Sequence, residues 1–112
     1  TDGHRYLEMA FKRGATLAFV KKRQKNIKGH QIKVNNVHNT MVKLAKYYRS
    51  NLRGKILAIT GSIGKTGTKD ALFNIIPKKH RVFHSRKSFN NIIGLPLEIL
   101  NMSKSSLNVW LF

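Results

Sequence analysis

The chain has 112 residues, no cysteine, and 22 Lys plus Arg against 4 Asp plus Glu, for a formal net charge of +18. The absence of cysteine excludes a disulfide framework and a thiolate metal site and fits a reducing, cytoplasmic setting, while so few carboxylates leave little room for a two-carboxylate acid–base mechanism. The longest apolar runs fall well short of a membrane span and no signal-peptide pattern opens the sequence, so no membrane span is expected. The positive excess raises nucleic acid, an anionic membrane or a polyanionic small molecule as partners. It is spread along the chain, however, and its clusters Lys21-Lys22-Arg23 and Lys78-Lys79-His80-Arg81 read as a loop and as a helix C-terminus, where cations are favoured. Solvated surface is the preferred reading, and nucleic acid is not the expected partner.

In chain order, Leu7, Ala10 and Phe11 fall at helical spacing between Tyr6 and Arg13, and Gly14 stands where a helix C-cap prefers glycine. Thr16 to Val20 and Gln31 to Val34 read as short strands on either side of a basic connection. From Thr40 to Arg49, Met41, Leu44, Ala45 and Tyr48 repeat with a helical period, with Asn36 or Asn39 available as cap. Of Tyr47 and Tyr48, one ring is expected buried and one exposed. The polar stretch Ser50 to Gly54 marks a boundary between a first part, residues 1–51, and a second, residues 52–112.

After that break Lys55 to Thr60 is a nearly continuous apolar run, as in a parallel strand covered on both faces. Lys65 to Ile76 then places Leu72, Ile75 and Ile76 on one helical face before Pro77 ends it, and Arg81 to His84 is a second strand. Leu95 to Met102 reads as a helix with Pro96 in its first turn, where a missing N–H costs nothing, and with Leu97, Ile99 and Leu100 inward. Leu107 to Phe112 begins a third strand. Strand, helix, strand, helix, strand describes an α/β fold with a parallel sheet of the doubly wound kind.

The segment that carries chemistry is Thr60-Gly61-Ser62-Ile63-Gly64-Lys65-Thr66. A strand that runs through a glycine turn into a helix gathers backbone N–H groups and the positive end of the helix dipole at one point, which suits a phosphate. Lys65 adds a cation that can follow the β- and γ-phosphates, and Thr66 a hydroxyl able to join the shell of a phosphate-bound Mg²⁺. Gly61, Ser62, Ile63, Gly64, Lys65, Thr66 and Gly67 are therefore the candidate ATP-binding residues, with Lys65 the catalytic candidate and Thr66 the metal candidate. One departure separates this loop from the general pattern: Ile59 occupies the position of its first glycine. An ordinary glycine turn is the competing reading. The histidines His4, His30, His38, His80 and His84 show no metal-ligand spacing, and Asp70 and Glu98 read as helix-surface charges.

The shortened loop resembles that of the Mur ligases, which make the peptide stem of bacterial peptidoglycan. Asp2-Gly3-His4 with Ala10 and Gly14-Ala15 looks like the end of that family's first domain, and Asn90-Asn91-Ile92-Ile93-Gly94-Leu95-Pro96-Leu97 looks like its Asn-Asn-x-x-Gly-x-Pro segment. The resemblance covers nearly the whole chain. It implies the rear of a UDP-substrate-binding domain over 1–51 and the front of an ATP-binding domain over 52–112. It further implies ATP, Mg²⁺, a UDP-N-acetylmuramoyl tripeptide and D-alanyl-D-alanine as partners, a monomer, and an amide bond made through an acyl phosphate. Lys65 would stabilise the transferring charge, and Asn90 and Asn91 would lie by the muramyl-peptide substrate; for the two asparagines alone, capping the following helix is an equal reading. Gly67 stands where the family commonly has Thr or Ser, which loosens the first helical turn by up to about 1 kcal/mol. With Thr at position 1 and an apolar run at Val109 to Phe112, the sequence reads as a piece of a longer protein. By the resemblance, the remaining metal ligands and a third domain would lie beyond it, so the chain alone is expected to be inactive. Two other readings stay open: a truncated gene product without activity, and a basic nucleic-acid-binding module.

Overall fold

The computed structural model describes residues 2–85 and 91–102, and the backbone of 109–111. The chain forms two compact units, Thr1–Met41 and Val42–Phe112.

In the first unit a 3₁₀ turn, Gly3–Tyr6, leads into α1, Leu7–Lys12. Asp2 starts the turn by accepting a hydrogen bond from the backbone N–H of His4 at 3.0 Å. Gly14 ends α1 as expected from the sequence. At φ +96, its N–H donates to Phe11 O at 3.0 Å while the N–H of Ala15 reaches back to Ala10 O at 3.0 Å, a Schellman pair that satisfies the last carbonyls of the helix. Strands β1, Leu17–Val20, and β2, His30–Lys33, pair in parallel with Phe19 opposite Ile32. Parallel neighbours usually need a helical crossover, but the connection 21–29 contains no helix. The Gln31 side chain organises it instead: its Oε1 accepts from the Gln24 N–H at 2.8 Å, and its Nε2 donates to Gln24 O and Ile27 O at 3.0 Å each. Gly29 closes the connection at φ +143, where an added Cβ would lie 2.5 Å from Cζ of Phe11. Leu7 and Val20 are the buried apolar residues of this unit.

Helix α2 runs Val37–Ser50, starting earlier than its apolar periodicity alone predicts. Asn36, not Asn39, is the cap: its Oδ1 accepts from the Asn39 N–H at 2.9 Å, and its carbonyl accepts from the N–H of Thr40 at 3.0 Å. The division between units falls inside this helix, between Met41 and Val42, rather than in the polar break at 50–54. The later turns of α2 pack within the second unit, where Ala45 is buried and the Tyr48 hydroxyl donates to the carbonyl of buried Met102. Tyr48 is half-buried and Tyr47 exposed, the split expected of the pair.

The second unit contains β3, Lys55–Leu57, α3, Lys65–Ile75, β4, Val82–His84, α4, Gly94–Asn101, and β5, Val109–Leu111. All three strands are parallel in the order β3-β5-β4, with Ile56, Trp110 and Phe83 in register. The α/β fold with parallel strands inferred from the element order is thus observed. Strand β3 is shorter than the apolar run that announced it, because Ala58 to Thr60 leave the ladder on the way to the glycine loop. Leu97, read as inward, is 41% exposed, and Ile75, on the apolar face of α3, is 71% exposed. The side of α3 that meets β4 carries Lys69, whose Nζ donates to Ser85 O, and Phe73, whose ring lies 4.4 Å from that of His84. On α4, Ile99 and Leu100 are half-buried.

Gly29 gives the sharpest test of this architecture. Gly29→Ala should destabilise the first unit by about 1–3 kcal/mol, through a φ that side chains rarely adopt and a clash with the Phe11 ring. Urea unfolding would measure it, and a change within a few tenths of a kcal/mol would contradict the geometry.

Candidate phosphate-binding site

The loop begins where Ala58 to Thr60 leave β3 and ends where α3 begins. Gly64 sits in the left-handed region at φ +81, ψ 0 and occupies the N-cap of α3 without a capping side chain. Its carbonyl accepts from the Thr68 N–H at 2.9 Å, closing the first turn. The leading N–H groups of a helix have no intrahelical partner and carry the positive end of its dipole, so the turn Lys65-Thr66-Gly67 offers donors rather than acceptors. Lys65 is half-buried, and its Nζ donates to Gly61 O and, at 3.5 Å, to Ser62 O. The cation therefore lies against its own loop and occupies the two carbonyls that would otherwise repel an anion.

Beside this loop is an open cavity of about 600 Å³ whose walls include Thr60, Gly61, Lys65, Asn91, Ile92 and Pro96. The structure thus brings Gly61, Lys65 and Asn91 together. Ser62, Ile63 and Gly64, with Thr66 and Gly67, remain on the exposed loop and first turn outside the cavity wall. Asn90 lies outside the described residues. Asn91 serves as the cap of α4: its Oδ1 accepts from Ile93 N at 3.1 Å and from Gly94 N at 2.6 Å. The capping role is therefore real, and it is also what holds Asn91 at the cavity. Thr60, Ile92 and Pro96, which belong to the two sequence segments but were not among the candidate site residues, also line the cavity. Lys69, one cation among many in the sequence, is only 7% exposed, and no local pattern marks it.

The first unit has its own cavity of about 510 Å³, with Asp2, His4, Phe19, Lys21, Asn36 and His38 among its walls. His4 Nδ1 lies 2.6 Å from Asp2 Oδ1, and the Lys22 N–H reaches His4 Nε2 at 3.3 Å. The His4 backbone N–H, and then its ring, hold the Asp2 carboxyl below the ordinary carboxylate range. Among the described residues, no three His, Asp or Glu side chains come together to hold a metal ion, and no helix is long and apolar enough to cross a membrane.

A parallel α/β sheet with a glycine–lysine turn between a strand and the helix that follows it is the architecture in which nucleotide phosphates are commonly bound. Similarity to known proteins narrows this. No family model matches the chain. Over 103 residues, 91% of the chain, it is 43% identical to the UDP-N-acetylmuramoyl-tripeptide--D-alanyl-D-alanine ligase of Rickettsia prowazekii and covers 23% of that protein. It is 34% identical over 107 residues to the ligase of the same name from Bacillus subtilis, covering 94% of this chain and 23% of that one. Among solved structures, the MurF ligase of Thermotoga maritima in complex with ADP superposes with a TM-score of 0.83 at 32% identity, over 98% of this chain and 25% of that one. MurF from Acinetobacter baumannii gives a TM-score of 0.86 at 25% identity, over 100% and 24%. The chain is a relative of the Mur ligases that join D-alanyl-D-alanine to the UDP-N-acetylmuramoyl tripeptide, and it spans about a quarter of their length.

Two substitutions separate the framework from the site. Gly64→Ala should cost about 1–2 kcal/mol because alanine resists the left-handed conformation, and Asn91→Ala about 1 kcal/mol through the lost cap. Thermal unfolding would measure both; a neutral Gly64→Ala would contradict the turn described here.

Proposed function

We propose that the chain carries the phosphate-gripping part of an ATP-dependent, amide-forming ligase of peptidoglycan precursor synthesis. Residues 52–112 contribute the front of the ATP-binding domain, and residues 1–51 the rear of a domain that binds the UDP-linked substrate. The observation that carries this reading is the Gly61–Thr66 turn between β3 and α3, with Lys65 on a cavity shared with Asn91. The likeness to ligases of this activity over nine-tenths of the chain supports it.

In this reading the β- and γ-phosphates of ATP lie on the loop N–H groups. Lys65 exchanges its contacts with Gly61 O and Ser62 O for phosphate oxygens. Phosphoryl transfer needs chiefly positioning and charge neutralisation, which these groups supply. A carboxylate oxygen of the tripeptide attacks the γ-phosphorus and ADP departs; the D-alanyl-D-alanine amine then attacks the acyl carbon, and inorganic phosphate leaves with the C–O bond that breaks. The exposed Thr66 hydroxyl, one residue beyond Lys65, fits a place in the shell of a phosphate-bound Mg²⁺, and that ion would supply charge neutralisation at the triphosphate. Asn91, held by its capping bonds, and Asn90 would border the muramyl-peptide end. The protein would work as a monomer in the cytoplasm, and the 112 residues alone would be inactive, since they span about a quarter of the relatives that perform the whole reaction.

Titration calorimetry with Mg-ATP tests this. The chain should bind, and Lys65→Ala should weaken binding at least about tenfold through the loss of charge-assisted hydrogen bonds. Equal affinity of the two proteins would remove the proposal's main support.

A further inference from the structure

We infer that Lys69 is a positioning residue for the phosphate loop: through the carbonyl of Ser85 it fixes the helix that starts at the loop against the end of β4. The inference rests on the reading of the loop as an ATP site.

Lys69 is 7% exposed, and its Nζ donates to Ser85 O at 2.5 Å. Ser85, also buried, follows the last residue of β4. The nearest carboxylate oxygen among the described residues, Asp70 Oδ1, is 4.0 Å away on a largely exposed side chain. Burying a lysine is costly even where its charge is compensated, so a buried cation is weak evidence for a role in stability alone. An apolar residue would fill the same place between a helix and a sheet at lower cost.

The position of Lys69 on α3 shows what it could do instead. Lys65, Lys69 and Phe73 recur one turn apart, so they form one stripe along the helix. At the top of the stripe Lys65 lies on the phosphate loop and lines the cavity. In the middle Lys69 holds Ser85, and below it the Phe73 ring meets His84 at 4.4 Å. The Phe73–His84 contact is one of ring packing and tolerates sliding, whereas a hydrogen bond to a buried carbonyl is directional. Lys69 therefore sets the rotation and height of α3 on β4, and with them the place of Lys65 and the free N–H groups of the first turn. Catalytic and binding geometry is sensitive to displacements of this kind, as misplacement by an ångström costs orders of magnitude.

Two variants of the whole chain separate positioning from general stability. Lys69→Met keeps length and removes the donor; Phe73→Leu loosens the same α3–β4 contact and leaves the hydrogen bond. With ¹⁵N spectra showing both folded at the temperature used, Lys69→Met should bind Mg-ATP about tenfold more weakly and shift the Gly61 and Gly64 amides, while Phe73→Leu lowers stability with affinity retained. Parallel losses of affinity and stability in both variants, or an unchanged affinity in Lys69→Met, would overturn the inference. Should Lys69→Met fail to fold, the unaltered protein decides: on Mg-ATP addition the Lys69 side-chain ¹⁵N and the Ser85 carbonyl ¹³C should shift together with Lys65, and silence at both nuclei would sink the idea. If the unaltered chain binds no Mg-ATP at all, the ATP-site reading fails first, and the inference about Lys69 falls with it.

Discussion

The contact on which the site depends is the return of Lys65 onto the carbonyls of Gly61 and Ser62. It can form only because Gly64 takes a left-handed turn that places the lysine at the start of α3 rather than at the end of β3. With both carbonyls occupied by a cation, the unpaired N–H groups of the first turn and the helix dipole give a local positive potential built mostly from backbone. Seen this way, the net charge of +18 is secondary. An anion site here would work through geometry, and surrounding surface lysines add only screened, long-range attraction.

The sheet puts this loop where a second element can reach it. Because β5 lies between β3 and β4, the loop leaving β3 and the chain leaving β4 emerge at the same end of the parallel sheet, separated by one strand. Ligands of open parallel sheets bind at that end. Helix α4 then returns with Asn91 at its start, and the capping bonds to Ile93 and Gly94 hold that residue on the cavity wall. One side chain thus performs a local folding task and defines a boundary of the site.

Local rules made much of this legible in the sequence. Gly14, Pro77 and Pro96 punctuate helices for reasons contained in their own backbone chemistry, and they marked the element ends to within a residue or two. The turn from β3 into α3 was readable because Gly61 and Gly64 supply the positive φ that such a turn needs. What depends on tertiary contact was not readable. Ile75 has helical spacing that suits a core face, yet α3 meets β4 through Lys69 and Phe73, which periodicity cannot rank. The early start of α2 follows from an Asn36 cap that is clear only once the Asn39 N–H is seen to meet it. The parallel pairing of β1 and β2 across a helix-free connection needed Gln31, whose three hydrogen bonds join residues that no local pattern links.

The central claim, that the turn from Gly61 to Thr66 is where the chain grips a nucleotide triphosphate, is tested most directly by mapping Mg-ATP onto the amide ¹H–¹⁵N spectrum of the unaltered protein. The account predicts saturable shifts at Gly61, Gly64, Lys65 and Asn91, with the basic connection from Lys21 to Gly29 unmoved. Shifts confined to that connection, disappearing with added salt and absent from the glycine turn, would contradict it.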